Sequence, residues 1–280
     1  MKLADASVSR RALLAGLAVA AVGSLAACGG EEKPAHEHGT LRIGASPSPH
    51  AEILNDFAAP RLEERGIALD VVEYTDYLKP NEDVISGELD ANYFQHINYL
   101  NNYNEENGSD LVNAGAIHYE PFGMFPGRSD SLDPIADGAT ISVPNDPTNE
   151  GRALLLLQDL GLIALDEAAG VTATVNDITD NPHNLQFLEQ EAAVLPSTLA
   201  DVDFAIINGN YAIDAGLSLS DAVATENADS TAVREQYVNI IATRPELEDD
   251  ECVAALVEVL KGDDFAAYLQ QTFGESVQAF

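Results

Sequence analysis

One loop of the chain combines residue types that could bind a carboxylate group. Residues 140–143 are predicted to form a strand, residues 144–149 (PNDPTN) are rich in helix-capping types, and the next helix is predicted to begin near Asn149. The first turn of a helix has free backbone N–H groups, and Arg152 falls in that turn. A guanidinium beside such groups suits an anion. Arg152 could equally pair with a surface acid, so the loop alone leaves both alternatives open.

Aromatic and amide side chains lie near the ends of predicted strands. Tyr77 and His96 come directly after strands, in a chain of which only 6% is aromatic. Each could line a cleft or pack in the core. Asn208 follows an apolar strand, and Asn239 lies inside another. Because a buried amide needs a hydrogen-bond partner, both asparagines are expected to contact either backbone or a ligand.

A site with these residues could belong to a binding protein or, alternatively, to a secreted enzyme with a pocket. The sequence has no Gly-x-Ser-x-Gly motif and no histidines at zinc-ligand spacing, and Cys252 lies in an apolar helical pattern that predicts burial. His96 could serve as a general base, but a single histidine among aromatic residues more often forms the wall of a pocket. We therefore predict a binding protein with no catalytic residue, cofactor or metal ion. A turnover assay with amides and esters would distinguish the two classes.

The N-terminus has the pattern of an export signal. Arg10 and Arg11 precede an apolar run over residues 12–27, which would span roughly 24 Å as a helix, short of the ~30 Å core of a bilayer. Residues 25–28 (LAAC) resemble a lipobox, which predicts cleavage before Cys28 and acylation of its thiol. The arginine pair also resembles a twin-arginine signal, so the export route stays open. Residues 1–27 are predicted to be the signal peptide, and residues 28–39 a lipid-anchored tether.

The charge of the chain excludes some partners. Its 13 basic and 47 acidic residues give a formal net charge of −34. Such a surface is unsuited to binding nucleic acid or anionic lipid headgroups. The acids are scattered along the chain, so they do not indicate a cationic ligand. A solvated surface suited to high salt is the hypothesis that they favour.

The remainder of the chain alternates predicted strands and helices in two blocks. The pattern begins at residue 40 and restarts after Pro134, which predicts two α/β units. Two of the predicted helices cover residues 51–65 and 195–200. We assign residues 40–120 and 241–280 to lobe I and residues 121–240 to lobe II. In open α/β sheets, ligands bind beyond the carboxyl ends of the strands. The binding residues are therefore expected in the loops that follow the strands.

Four segments, in order along the chain, resemble one protein family. The chain is similar to the methionine-binding lipoproteins of ABC importers, the NlpA lipoprotein family, over about residues 40–280. The matching segments are 76–82 (DYLKPNE), 90–96 (DANYFQH), 143–161 (VPNDPTNEGRALLLLQDLG) and 237–239 (YVN).

The resemblance implies an α/β, two-lobed periplasmic-binding-protein-like fold (type II) that closes on an amino acid by a hinge between the lobes. Arg152 matches the family position that grips the ligand carboxylate, and Asn208 and Asn239 match asparagines that hold the polar end of the ligand. The residues expected to surround the ligand side chain are Tyr77, Phe94, His96 and Tyr99. Aromatic rings suit a thioether, since each sulfur–ring contact contributes about 0.3–1.5 kcal/mol.

The resemblance also implies the partners and the location of the protein. Methionine is the expected ligand, with D-methionine, a short methionine peptide or another apolar amino acid left open. An ABC permease and its ATPase are the expected protein partners, and the lipid on Cys28 would hold the chain on the extracytoplasmic face of the cell membrane. His118 and Glu120 lie in a stretch that varies among relatives, so the resemblance assigns them no role.

Overall fold

A computed structural model describes residues 39–280, which contain thirteen strands and eight α-helices. The strands are β1 (Thr40–Ala45), β2 (Ala68–Glu73), β3 (Ala91–His96), β4 (Val112–Tyr119), β5 (Gly123–Pro126), β6 (Thr140–Pro144), β7 (Ala164–Leu165), β8 (Ile178–Asp180), β9 (Gln186–Gln190), β10 (Phe204–Ile207), β11 (Ala224–Thr225), β12 (Val238–Thr243) and β13 (Gln278–Ala279). The helices are α1 (Ala59–Glu63), α2 (Lys79–Ser86), α3 (Ile97–Asn107), α4 (Pro147–Asp159), α5 (Gly209–Asp214), α6 (Thr231–Tyr237), α7 (Glu251–Leu260) and α8 (Phe265–Phe273). The predicted signal peptide, Cys28 and nearly all of the predicted tether lie outside the described residues.

The first sheet has six strands in the order β13-β4-β12-β3-β1-β2. β1 pairs in parallel with both β2 and β3, whereas β12 pairs antiparallel with β3 on one side and β4 on the other. A strand from the last fifth of the chain therefore lies at the centre of a sheet whose other long strands come from the first half.

The second sheet has five strands in the order β11-β5-β10-β6-β9. β6 pairs in parallel with β9 and β10, and β5 pairs antiparallel with β10. β7 and β8 form a separate two-stranded sheet. The carboxyl ends of β6 and β10, which precede α4 and α5, thus lie at the same edge of the second sheet.

Both large sheets are covered by apolar side chains on their two faces. In β12, Ile241 packs in one hydrophobic cluster, and its neighbours Ile240 and Ala242 pack in another. In β10, Phe204 and Ile206 belong to one cluster, whereas the intervening Ala205 belongs to a second. Because successive side chains of a strand point to opposite faces, each sheet is a buried central layer. The α/β class predicted from the sequence is confirmed.

Two predictions of helical segments were wrong in detail. The sequence predicts one helix over residues 51–65, but two π-helical segments, Pro47–Ala51 and Ile53–Ala58, precede α1. Pro60, which has no backbone N–H, lies in the first turn of α1, directly after the π-helical segment ends, and the backbone stays helical across this junction. Residues 195–200 were predicted as an α-helix, yet Ala192–Asp201 is a 3-10 helix with a proline inside it.

The two large sheets use separate parts of the chain. The first takes its strands from residues 40–119 and 238–279, and the second from residues 123–225. The predicted lobe boundary between residues 240 and 241 falls inside β12. The division into lobes stays a prediction. Within residues 39–280, no helix is both long enough and apolar enough to cross a membrane.

Candidate functional site

A single cavity brings together all seven residues that were predicted to bind the ligand. The empty space among its lining atoms amounts to about 340 Å³, including the part that is open to solvent. The predicted residues that line it are Tyr77, Phe94, His96, Tyr99, Arg152, Asn208 and Asn239. The lining residues that were not predicted to bind the ligand are Gln95, Glu120, Asn149, Gly209 and Asn210.

Strand ends and helix starts from both sheets place these side chains. β3 ends at His96, whose Nδ1 caps α3 by accepting the Tyr99 N–H at 3.1 Å. β6 leads to Asp146, whose carboxylate caps α4 by accepting the Asn149 N–H at 3.1 Å. Asn208 directly follows β10. Cavity residues thus lie at or after the carboxyl ends of three strands of the two sheets.

His96 and two asparagines form a buried hydrogen-bond cluster. Asn149 Oδ1 accepts a bond from Asn208 Nδ2 at 2.9 Å and lies 3.2 Å from His96 Nε2. Because Oδ1 can only accept, His96 Nε2 carries the proton, in agreement with its Nδ1 accepting the Tyr99 N–H. Burial and the nearby charge of Arg152 lower the pKa of His96 to about 3. His96 is therefore neutral and has no free lone pair to act as a general base.

Arg152 forms a buried ion pair that the sequence did not reveal. Its Nε and Nη2 donate to the two carboxylate oxygens of Glu226 at 2.8 and 2.6 Å, and Nη2 also donates to the Glu120 carbonyl at 2.8 Å. The rings of Phe122 and Tyr237 lie 4.6 and 4.2 Å from the guanidinium carbon. Nη1 takes part in none of these three bonds. Arg152 thus lies in the cavity lining with its charge already compensated by Glu226.

Three aromatic rings form one wall of the cavity. The ring centroids of Tyr77, Phe94 and Tyr99 are separated by 5.6, 5.8 and 5.8 Å. Tyr77 OH donates to Asn210 Oδ1 at 2.6 Å, and Tyr99 OH donates to the Tyr77 carbonyl at 3.2 Å. Since both hydroxyls already have partners, the wall presents mainly ring carbon to the cavity, as an apolar ligand side chain requires.

Three residues of the site were not predicted to take part in it, and the sequence around each one indicates a different amount about its position. Asn149 belongs to the capping run, so its position was known but its contact with His96 was not. Glu120 lies in a segment to which the resemblance assigned no role. Glu226 follows a two-residue strand and meets Arg152 only through the tertiary fold. No local pattern could have identified Glu226.

Two α/β sheets whose strand ends share one cavity are the architecture of two-lobed periplasmic-binding-protein-like folds, and solved structures of that class match the chain. A structure from Coxiella burnetii, described as the periplasmic substrate-binding protein of an ABC transporter, has a TM-score of 0.79 and 36% identity, covering 86% of this chain and 100% of its own. A nutrient-binding protein from Burkholderia cenocepacia, solved bound to methionine, has a TM-score of 0.80 and 38% identity, covering 85% and 99%. The predicted two-lobed fold is confirmed.

The family follows from the sequence comparisons. The chain belongs to the NlpA lipoprotein family, whose sequence profile matches residues 41–280. The methionine-binding lipoprotein MetQ of Bacillus subtilis is 37% identical over 96% of this chain and 98% of its own length. The family resemblance inferred from the four sequence segments is thereby confirmed.

Proposed function

We propose that this chain is the substrate-binding lipoprotein of an ABC importer and that it binds methionine in the cavity. The observation that carries the proposal is the arrangement of the cavity itself, in which an apolar ring wall faces buried polar groups, as a zwitterion with an apolar side chain requires. The relative solved with methionine and the relative named as the substrate-binding protein of an ABC transporter support the same assignment. A secreted hydrolase is not supported, since these relatives are binding proteins and His96 has no free lone pair.

The polar groups suggest how the ligand carboxylate would be bound. Arg152 Nη1 takes no part in the bonds to Glu226 and Glu120. Asn239 uses its Oδ1 for His50 Nε2 at 3.1 Å, so its amide N–H groups are the part of the side chain suited to an anion. The carboxylate would accept bonds from both side chains, and the thioether would lie against Tyr77, Phe94 and Tyr99.

The finer assignments belong to the same proposal. Lobe I (residues 40–120 and 241–280) and lobe II (residues 121–240) would close on the ligand by a hinge. Cys28 would carry the lipid that holds the protein on the extracytoplasmic face of the cell membrane. An ABC permease with its ATPase would receive the ligand, and the binding protein itself would perform no catalysis.

Ligand released from freshly purified protein tests the proposal. The protein would be unfolded in denaturant, the supernatant analysed by chiral mass spectrometry, and the refolded protein titrated calorimetrically with the compound found. Methionine is the expected ligand, and titrations with L-methionine, D-methionine, a methionine dipeptide and leucine would rank the remaining alternatives. A refolded protein that binds none of these four compounds would overturn the proposal.

A further inference from the structure

The two large sheets are joined by two segments of the chain. The outgoing crossover, residues 120–122, leads from β4 of the first sheet to β5 of the second, and the return crossover, residues 226–237, leads from β11 back to β12. Within residues 39–280, no other segment joins a strand of one large sheet to a strand of the other. Movement of one sheet relative to the other would therefore be absorbed by backbone rotations in these two crossovers.

Glu226, the first residue of the return crossover, is bonded to residues at both ends of the outgoing crossover. Its Oε2 accepts a bond at 2.8 Å from the hydroxyl of Tyr119, the last residue of β4, and another at 2.9 Å from the Phe122 N–H. The backbone N–H of Glu226 donates to the Phe122 carbonyl at 3.0 Å. One residue thus fastens the two crossovers to each other.

The guanidinium of Arg152 is held by the same two crossovers. Its Nε and Nη2 donate to Glu226, and Nη2 also donates to the Glu120 carbonyl. The two nearest aromatic rings are those of Phe122 and of Tyr237, the last residue of the return crossover. Although Arg152 belongs to α4, these four partners of its guanidinium all come from the crossovers.

The orientation of Arg152 in the cavity lining therefore depends on the arrangement of the crossovers. The side chains of Arg152 and Glu226 are only 4% and 7% exposed, so water cannot easily take over their bonds. An N–H···O bond extends over only about 2.7–3.2 Å, and a shift of one crossover by roughly 1 Å would break it. A ligand anion bound by Arg152 in this orientation stabilises this arrangement, and by linkage the arrangement raises the affinity for the anion.

We propose that Glu226 is a positioning residue that joins Arg152 and the two crossovers into one unit, and that it thereby couples binding of the ligand carboxylate to closure of the lobes. Among the described residues, Glu226 does not line the cavity, so it acts through Arg152. The inference rests on the proposed function, in which Arg152 binds the carboxylate and the lobes close by a hinge. It adds the residue that links these two events.

Two variants separate this coupling from the charge of the ion pair. Glu226→Gln keeps the shape of the side chain but replaces one accepting oxygen with an NH2 group, so it weakens both the ion pair and the connection between the crossovers. Tyr119→Phe removes only the hydroxyl that joins β4 to Glu226, and the bonds between Arg152 and Glu226 remain. If Glu226 served only to balance the charge of Arg152, Tyr119→Phe would bind ligand as the parent does.

Calorimetric titration with methionine and small-angle scattering measure the coupling in ligand-free protein. Coupling between sites typically changes affinity about 5- to 150-fold, so methionine affinity is expected to fall at least about 5-fold in Tyr119→Phe and further in Glu226→Gln. At saturating methionine, the radius of gyration of both variants is expected to decrease less than that of the parent. Glu258→Gln is the matched control, because Glu258 is an exposed acid that pairs with Arg65, and it should match the parent in both measurements.

Each outcome separates this inference from the proposed function. A parent protein that binds no methionine rejects the proposed function, whereas a parent that binds methionine without contracting overturns only the inference. Parental affinity and contraction in Tyr119→Phe, with or without a loss in Glu226→Gln, would reduce Glu226 to charge compensation and overturn the coupling. If circular dichroism shows that Glu226→Gln does not fold, Tyr119→Phe decides alone.

Discussion

The buried ion pair between Arg152 and Glu226 gives the sharpest prediction about stability. Replacing Arg152 with methionine keeps an unbranched side chain of similar length but removes the charge. Glu226 would then retain two of its four donors, the Tyr119 hydroxyl at 2.8 Å and the Phe122 N–H at 2.9 Å. The Arg152 and Glu226 side chains are only 4% and 7% exposed, so water cannot easily replace the guanidinium.

The expected loss follows from this burial. Removing one partner of a buried pair costs about 3–5 kcal/mol, and the two remaining donors place Arg152→Met near the lower value. A loss of about 3 kcal/mol corresponds to a change on the order of 100-fold in the unfolding equilibrium constant. Adding Glu226→Gln to Arg152→Met is expected to lower the free energy of unfolding less than Glu226→Gln does alone. In the double variant both charges are absent, so no buried charge is left without a partner.

Urea denaturation of ligand-free protein, followed by circular dichroism, measures these differences in the free energy of unfolding. The control is Arg65→Met, since Arg65 pairs with Glu258 at 3.0 Å but the two side chains are 41% and 72% exposed. An exposed pair contributes about 0–1 kcal/mol, so the control should change little. Equal losses for Arg152→Met and Arg65→Met would refute the argument that burial makes the first pair important.

Three further predictions concern ligand binding and anchoring. Arg152→Lys should weaken methionine binding in calorimetry, because an ammonium cannot contact Glu226 and the ligand together, and methionine amide should bind the parent weakly; parental affinity in either experiment would contradict this. Cys28→Ser should yield protein without lipid that leaves the membrane fraction on a salt wash, and a mutant still acylated would contradict the assignment. Methionine should reduce the radius of gyration in small-angle scattering, and an unchanged radius despite saturation would exclude hinge closure.

The positions of the cavity residues could be predicted because strand ends are readable from the sequence. His96 is the last residue of β3 and Asn208 follows β10, and the carboxyl ends of strands in α/β sheets meet at a common edge. Residues that do not lie at strand ends, such as Tyr99 in α3, could be predicted only from the family resemblance. All seven predicted side chains line one cavity, while their contacts with a ligand stay predictions.

The contacts among these residues could not be predicted, because they join distant parts of the chain. Arg152 meets Glu226 across 74 residues, and His50 meets Asn239 across 189 residues. Neither separation leaves a periodic signal, because each contact depends on how the strands of a single sheet are ordered, the second sheet for Arg152 and the first for His50. The π-helical turns before α1 were also unpredictable, because apolar spacing over residues 51–65 fits a regular helix equally well.

The central position of β12 has a consequence for how the chain folds after synthesis. During translation, β3 and β4 are complete long before Val238 emerges, and until then each has an unpaired edge where β12 will lie. Such edges are prone to pair with other chains. The long loop that must close before β12 can insert also makes this step slow. The centre of the first sheet is therefore filled by one of the last strands to be synthesised. A nascent chain that stops short of residue 243 is expected to need protection from aggregation.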